Sequence, residues 1–172
     1  ISVCIPVHRW TDTLEAKLES LLAQTKSDAV CEVILYVDGG EDCGLVDQVH
    51  RIEAAWVGPP SLLVISKGVR GGKPAAINAM VDAAMGELIL LTDARQPITP
   101  GAIEALQAAM RTERADAAAG VLVPTPGAPA GVYWKYENLV RRLEARRCGS
   151  IGFTALAMMG GLRSPEYRMT LS

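Results

Sequence analysis

The sequence predicts an α/β domain built on a mostly parallel β-sheet flanked by helices, and three observations carry that prediction. Short apolar runs alternate with stretches of helical period, the signature of βαβ units. Two of the runs, Glu32-Val33-Ile34-Leu35-Tyr36-Val37-Asp38 and Glu87-Leu88-Ile89-Leu90-Leu91-Thr92-Asp93, are almost continuously apolar, as strands buried on both faces are, and each ends on an aspartate. A length of 172 residues, with 49% hydrophobic and 21% charged, suits one domain with a sizeable core.

Residues 1 to 6 read as a buried first strand closed by Pro6. Asp12-Thr13-Leu14-Glu15 resembles a capping box, and Leu14, Leu18, Leu21 and Leu22 at helical spacing predict a helix over about 13–24. The second strand, 32–37, runs into Asp38-Gly39-Gly40-Glu41-Asp42. A helix over about 44–56 follows, with Leu45, Val49, Ile52 and Trp56 on one face, and Gly58-Pro59-Pro60 breaks it. A third strand, 62–65, leads into the loop from Ser66 to Lys73, after which Pro74 suits the first turn of an alanine-rich helix able to lie close on the sheet. Beyond the strand ending at Asp93, Thr99-Pro100 is expected to start a helix with the hydroxyl as its cap, and 117–123 reads as another strand. The stretch 124–131 is a Pro/Gly loop and 133–147 a last helix; from Gly149 onward no period is clear.

Composition excludes several classes of function. A formal charge of −2 provides no basic field for nucleic acid. The arginine pairs Arg141-Arg142 and Arg146-Arg147 read as a solvated helix face. Cysteines at 4, 31, 43 and 148 show no C-x-x-C pair and no histidine at zinc-ligand spacing, so reduced, mostly buried thiols are expected. No apolar run is long enough to span a membrane, and a first residue of Ile rather than Met suggests an excised or partial domain. Gly71-Gly72-Lys73 falls short of a P-loop, since the earlier glycine position holds Lys67 and the Ser/Thr position holds Pro74. G-x-G-x-x-G after a strand and the G-x-S-x-G nucleophile elbow are both absent, and His8 and His50 read as a strand-end and a helix-surface residue.

The candidate constellation is Asp38, Asp42, Arg70, Lys73, Asn78, Asp93 and Arg95. Parallel strands carry Asp38 and Asp93 to one edge of the sheet, where open α/β folds bind ligands. An acid held there accepts hydrogen bonds from a ribose or base, or shares a divalent cation with a diphosphate. Backbone N–H groups and a lysine at the start of the helix after Gly71-Gly72 could approach a phosphate.

Five blocks, in order, carry a resemblance: Ser2-Val3-Cys4-Ile5-Pro6-Val7-His8; Leu18-Glu19-Ser20-Leu21-Leu22-Ala23-Gln24-Thr25; Asp38-Gly39-Gly40-Glu41-Asp42; Gly72-Lys73-Pro74-Ala75-Ala76-Ile77-Asn78-Ala79; and Gly86-Glu87-Leu88-Ile89-Leu90-Leu91-Thr92-Asp93-Ala94-Arg95. In this order they resemble the family 2 glycosyltransferases, inverting enzymes of the GT-A fold that use nucleotide sugars. The resemblance covers about 1–123, the nucleotide-binding part, and continues more loosely through Tyr133-Trp134-Lys135-Tyr136-Glu137 into the start of an acceptor part at 124–172 of the same single domain. It implies that Pro6, Val7 and His8 border the nucleotide, that Asp38 holds the base, and that Gly72, Lys73 and Asn78 lie on the nucleotide side of the cleft. Asp93, with Ala94 and Arg95, corresponds to the D-x-D element that positions ribose and a Mg2+ or Mn2+ ion, making Asp93 the metal ligand. The implied partners are a UDP- or GDP-sugar donor and a glycan, lipid or other hydroxyl acceptor. The implied setting is polysaccharide or glycolipid synthesis at the cytoplasmic face of a membrane, reached through segments outside this chain.

Three departures qualify what the resemblance implies. Arg95 stands where the second D-x-D acid is expected, Arg9-Trp10 replaces an Asn-acid pair after the first strand, and no acid pair suited to a general base appears before Ser172, Glu166 being the only acid of the last stretch. The base is therefore expected beyond Ser172, and the chain is expected to bind donor better than it catalyses transfer. Two other readings stay open: a nucleotidyltransferase of related architecture, whose Gly-rich first loop is missing, and a degenerate, non-catalytic donor-binding domain. Trp134, Met158 and Met159 read as packing residues.

Overall fold

The computed structural model describes residues 1–9, 12–24, 30–39, 43–120 and 156–160. Its apolar runs become β1 (Ser2–Val7), β2 (Glu32–Asp38), β3 (Ser61–Lys67) and β4 (Leu88–Thr92), all mutually parallel where they pair, with β1 central between β2 and β4. Every residue of β2 is buried, which is why that strand reads as an unbroken apolar run rather than an alternation. Helices α1 (Asp12–Gln24), α2 (Cys43–Ala55) and α3 (Gly72–Ala83) make the crossovers, and α4 (Ala102–Glu113) follows β4. Two antiparallel strands, β5 (Ala117–Ala119) and β6 (Leu156–Gly160), complete a six-stranded sheet of order β3-β2-β1-β4-β6-β5.

The sheet has a core on each face. Val3, Ile5, Val7, Val33, Leu35 and Val37 join Leu14, Leu18 and Leu21 of α1, Leu45 and Val49 of α2, and Ile103, Leu106 and Met110 of α4. The alternate positions Cys4, Ile34, Tyr36 and Ile89 meet Ala76, Ile77, Met80 and Val81 of α3. Small side chains such as the fully buried Ala76 let α3 lie close on the sheet, as its composition predicts.

Four expectations need correcting. Thr99 does not cap α4: Gly101, in the left-handed region at φ 79, occupies the cap position without a side-chain bond, so the helix starts two residues later than Pro100. Leu22 leaves the α1 stripe and is exposed, because it lies at the edge of the buried arc. Cys31 is exposed, whereas Cys4 is buried; both are free thiols. The Leu156–Gly160 strand carried no alternation to reveal it, since it is set by antiparallel pairing with β4 and β5. The expected strand at 117–123 is described only as Ala117–Ala119. The 124–131 loop, the 133–147 helix with its aromatic and arginine residues, Asp42, Cys148 and Glu166 lie outside the described residues. Among the described residues, no helix is long and apolar enough to cross a membrane.

Candidate functional site

The chain runs outward from β1 through β2 to β3, then crosses back over α3 to β4 on the other side of β1. This reversal places a topological switch point at the carboxyl ends of β1 and β4, where an open sheet leaves a crevice between diverging loops. Val7 and His8 form one lip, and Thr92 and Asp93 the other.

Asp38 closes β2 and is 6% exposed. Its carboxylate accepts hydrogen bonds from Gly71 N at 2.7 Å and Gly72 N at 2.9 Å, so it caps the start of α3 and meets the positive end of that helix's dipole. Gly72 adopts φ +78, a conformation that costs a side-chain-bearing residue energy, and a Cβ on Gly71 would approach that of Ala75 to 3.0 Å. The glycine pair therefore turns two N–H groups onto Asp38. Those two donors are thereby committed within the protein, and the side chain of Lys73 follows them directly in the chain.

Lys73 Nζ donates to Asp93 Oδ1 at 3.1 Å. The Gly71-Gly72-Lys73 segment thus ties the two aspartates together across the switch point, through the backbone to Asp38 and through an ammonium to Asp93. The bridge is open to solvent, with Lys73 64% exposed and Asp93 32%. An ion pair so exposed contributes at most about 1 kcal/mol to folding. His8 lies at the same rim, its Nδ1 3.1 Å from the backbone oxygen of Asp38.

A residue that sequence reasoning missed lies beneath this rim. Lys17 of α1 is fully buried. Its ammonium donates to Thr92 Oγ1 at 2.5 Å, to the backbone oxygen of Asp93 at 3.1 Å and to that of Gln96. The three donors of the ammonium thereby meet three acceptors, and the loop that carries Asp93 and Arg95 is held from below. Burial pulls the Lys17 pKa down to about 8, against the opposing pull of Asp93. A signal was available: Lys17 falls three residues after Leu14 and four before Leu21, on the buried stripe itself.

Of the other residues singled out from the sequence, Val7 and Ala94 are buried and can offer a ligand little but backbone. Pro6 is half-buried, and Arg70 and Arg95 are exposed. Asn78 sits half-buried five residues along α3 from Lys73, roughly 7.5 Å farther up the helix axis. His50 pairs with Glu53 at 3.2 Å on the exposed face of α2, as a surface histidine should. Arg9, Lys67, Arg70, Lys73 and Arg95 lie in or next to the segments that follow the carboxyl ends of the strands, as do Asp38 and Asp93.

Among the described residues, the donor set suits a divalent cation poorly. Mg2+ and Mn2+ seek hard oxygens, commonly one or two carboxylates besides substrate phosphates. Asp93 has one oxygen engaged by Lys73, and two residues on, the chain carries the guanidinium of Arg95. Among the described residues, no group of three or more His, Cys, Asp or Glu side chains is arranged to hold a metal ion.

Comparison with solved structures places this architecture among GT-A glycosyltransferases. A mannosyltransferase, PcManGT from Pyrobaculum calidifontis in complex with GDP-Man and Mn2+, superposes with a TM-score of 0.74 at 21% identity, over 92% of this chain and 44% of that one. S. aureus TarS 1-349 in complex with UDP-GlcNAc matches with a TM-score of 0.60 at 20% identity, over 74% of this chain and 35% of that one. The chain thus spans less than half the length of either structure. No curated protein matches the sequence significantly. The model of the family described as "Glycosyl transferase family 2" matches residues 2–167, nearly the whole length, and this chain belongs to that family.

Proposed function

We propose that this chain forms the donor-binding part of an inverting glycosyltransferase that moves a sugar from a UDP- or GDP-sugar to a hydroxyl acceptor on a glycan or lipid. The observation that carries the reading is the linkage of Asp38, Lys73 and Asp93 at the β1/β4 switch point. Family membership and the GT-A fold support it. In this reading Pro6, Val7 and His8 border the nucleotide, Asp38 faces the base, and Asn78 lies toward the nucleotide side of the cleft. Lys73 and the Asp93-Ala94-Arg95 segment serve the ribose and diphosphate.

In the transfer, the acceptor oxygen forms a bond to the anomeric carbon from the face opposite the leaving group. The bond from that carbon to the β-phosphate oxygen breaks, and its electron pair leaves with the nucleoside diphosphate. Lys73 and Arg95 stabilise the charge that develops there. The acceptor proton passes to a general base, which we expect downstream of Ser172, so the chain by itself should bind donor better than it turns it over. We place the work at the cytoplasmic face of a membrane, where cytosolic donors arrive.

The test is thermal melting of the chain with UDP-sugars, GDP-sugars and nucleoside triphosphates in turn. A ligand present at 100 times its Kd should add about 2.7 kcal/mol of stability. Stabilisation by a nucleoside-diphosphate sugar but not by a triphosphate is the expected outcome. Preference for a triphosphate would favour a nucleotidyltransferase, and unchanged binding in both Asp38→Ala and Asp93→Ala would remove the site assignment.

A further inference from the structure

We propose that the donor diphosphate is held in this chain by side-chain cations, Lys73 and Arg95, in place of a bridging divalent ion. The inference rests on the donor-site reading above and concerns how that site compensates charge. Two observations meet in it.

The first is the state of Asp93. Its Oδ1 accepts from Lys73 Nζ at 3.1 Å, so an ammonium already stands where a metal would draw on that carboxylate. An ammonium has three donors, and the bond to Asp93 leaves two for other acceptors. The carboxylate thus orients the lysine instead of binding a metal. The pair is open to solvent, as a ligand-facing group must be.

The second is Arg95. Putting a guanidinium where the resemblance places an acid changes the local charge by two units in the direction that repels a dication. It also supplies the planar, forked donor set that phosphate oxygens accept in pairs. Arg95 is exposed, two residues from Asp93, on the loop whose backbone the Lys17 ammonium fastens at Asp93 and Gln96. The guanidinium is therefore carried on an anchored turn, which lowers the ordering cost of closing on a ligand. A sugar-linked nucleoside diphosphate carries two negative charges; Lys73 and Arg95 bring two positive ones, of which the Lys73 charge is shared with Asp93.

The test is calorimetric titration of the chain with GDP and with UDP, once in EDTA and once in MnCl2. The expected result is that at least one of them binds with a Kd in EDTA within about two-fold of that in Mn2+, and that Lys73→Met and Arg95→Met each weaken that binding by about ten-fold or more in EDTA while melting as the parent does. The Arg95→Asp variant, which restores an acid-x-acid pair, should lose EDTA-resistant binding and acquire dependence on Mn2+. Binding by the parent only in Mn2+, or variants that bind in EDTA as the parent does, would overturn the inference while leaving the donor-site reading intact. Binding of neither nucleotide under either condition would overturn both.

Discussion

Two buried charges organise the carboxyl edge of the sheet residue by residue. Asp38 neutralises the start of α3 by accepting two backbone N–H groups, and Lys17 fastens the loop after β4. Replacing Asp38 by alanine strands both donors and removes two charge-assisted bonds, so urea denaturation should show a loss of about 3 kcal/mol. The pH dependence of Lys17 has a defined sign. Its pKa falls from 10.5 in the unfolded chain to about 8 in the folded one, so below pH 8 it is charged in both states and the cost of burying the charge is fully present. Between pH 8 and 10.5 the unfolded state binds more protons, and stability rises with pH. Lys17→Met lacks this dependence; the stability of the parent relative to the variant should therefore increase between pH 8 and pH 10.5, as read by denaturation at both values. Cys4 cancels in that difference, its thiol being pushed up to about 12 by burial and, less strongly, by Glu32 in both proteins. Lys17 escaped notice because a lysine on an apolar stripe is ordinarily discounted as a solvated interruption, and only the position of the β4 loop shows where its ammonium ends.

The elements show which patterns transmit structure and which do not. The four parallel strands and the helices between them were legible because burial on both faces makes β1, β2 and β4 apolar throughout, while turn residues mark their ends. The start of α4 was misread because Thr99 and Pro100 look like a cap and first turn, but Gly101 can enter the left-handed region and delays the helix. β6 was illegible because its place depends on β4 and β5, far away in sequence. Glycine carries comparable weight at the start of α3. Alanine at Gly72 must adopt φ +78, which should cost about 1–2 kcal/mol by thermal denaturation and disturb the two bonds to Asp38. Three residues past the other end of that helix, a Cβ on Gly86 would lie 2.7 Å from the backbone nitrogen of Ser2, so Gly86→Ala should cost roughly 1–3 kcal/mol because the obstruction includes backbone.

Across the whole molecule, the two edges of the parallel sheet divide labour between stability and ligand. At the amino edge, Ser2 Oγ donates to Glu32 Oε1 at 2.5 Å and accepts from Gly86 N at 2.7 Å, and Met85 N donates to the same carboxylate at 2.5 Å. Ser2 and Glu32 are buried, so this network fastens β1, β2 and the turn before β4. At the carboxyl edge, the Lys73–Asp93 pair is open to solvent beside the switch point between β1 and β4. Glu32 and Asp38 stand six residues apart on one strand, roughly 20 Å, beyond the range over which substitutions usually couple. Glu32→Ala leaves Ser2 Oγ and Met85 N without their acceptor and should cost about 2–4 kcal/mol in urea denaturation, while its Kd for GDP or UDP stays that of the parent under conditions where it is folded. Lys73→Met should do the reverse, melting within about 1 kcal/mol of the parent because an exposed ion pair contributes little, yet binding the nucleotide more weakly. In the double variant the two losses should add. A Glu32→Ala chain that is fully folded but weaker for nucleotide would mean that the two edges communicate through β2, and the division of labour would fail.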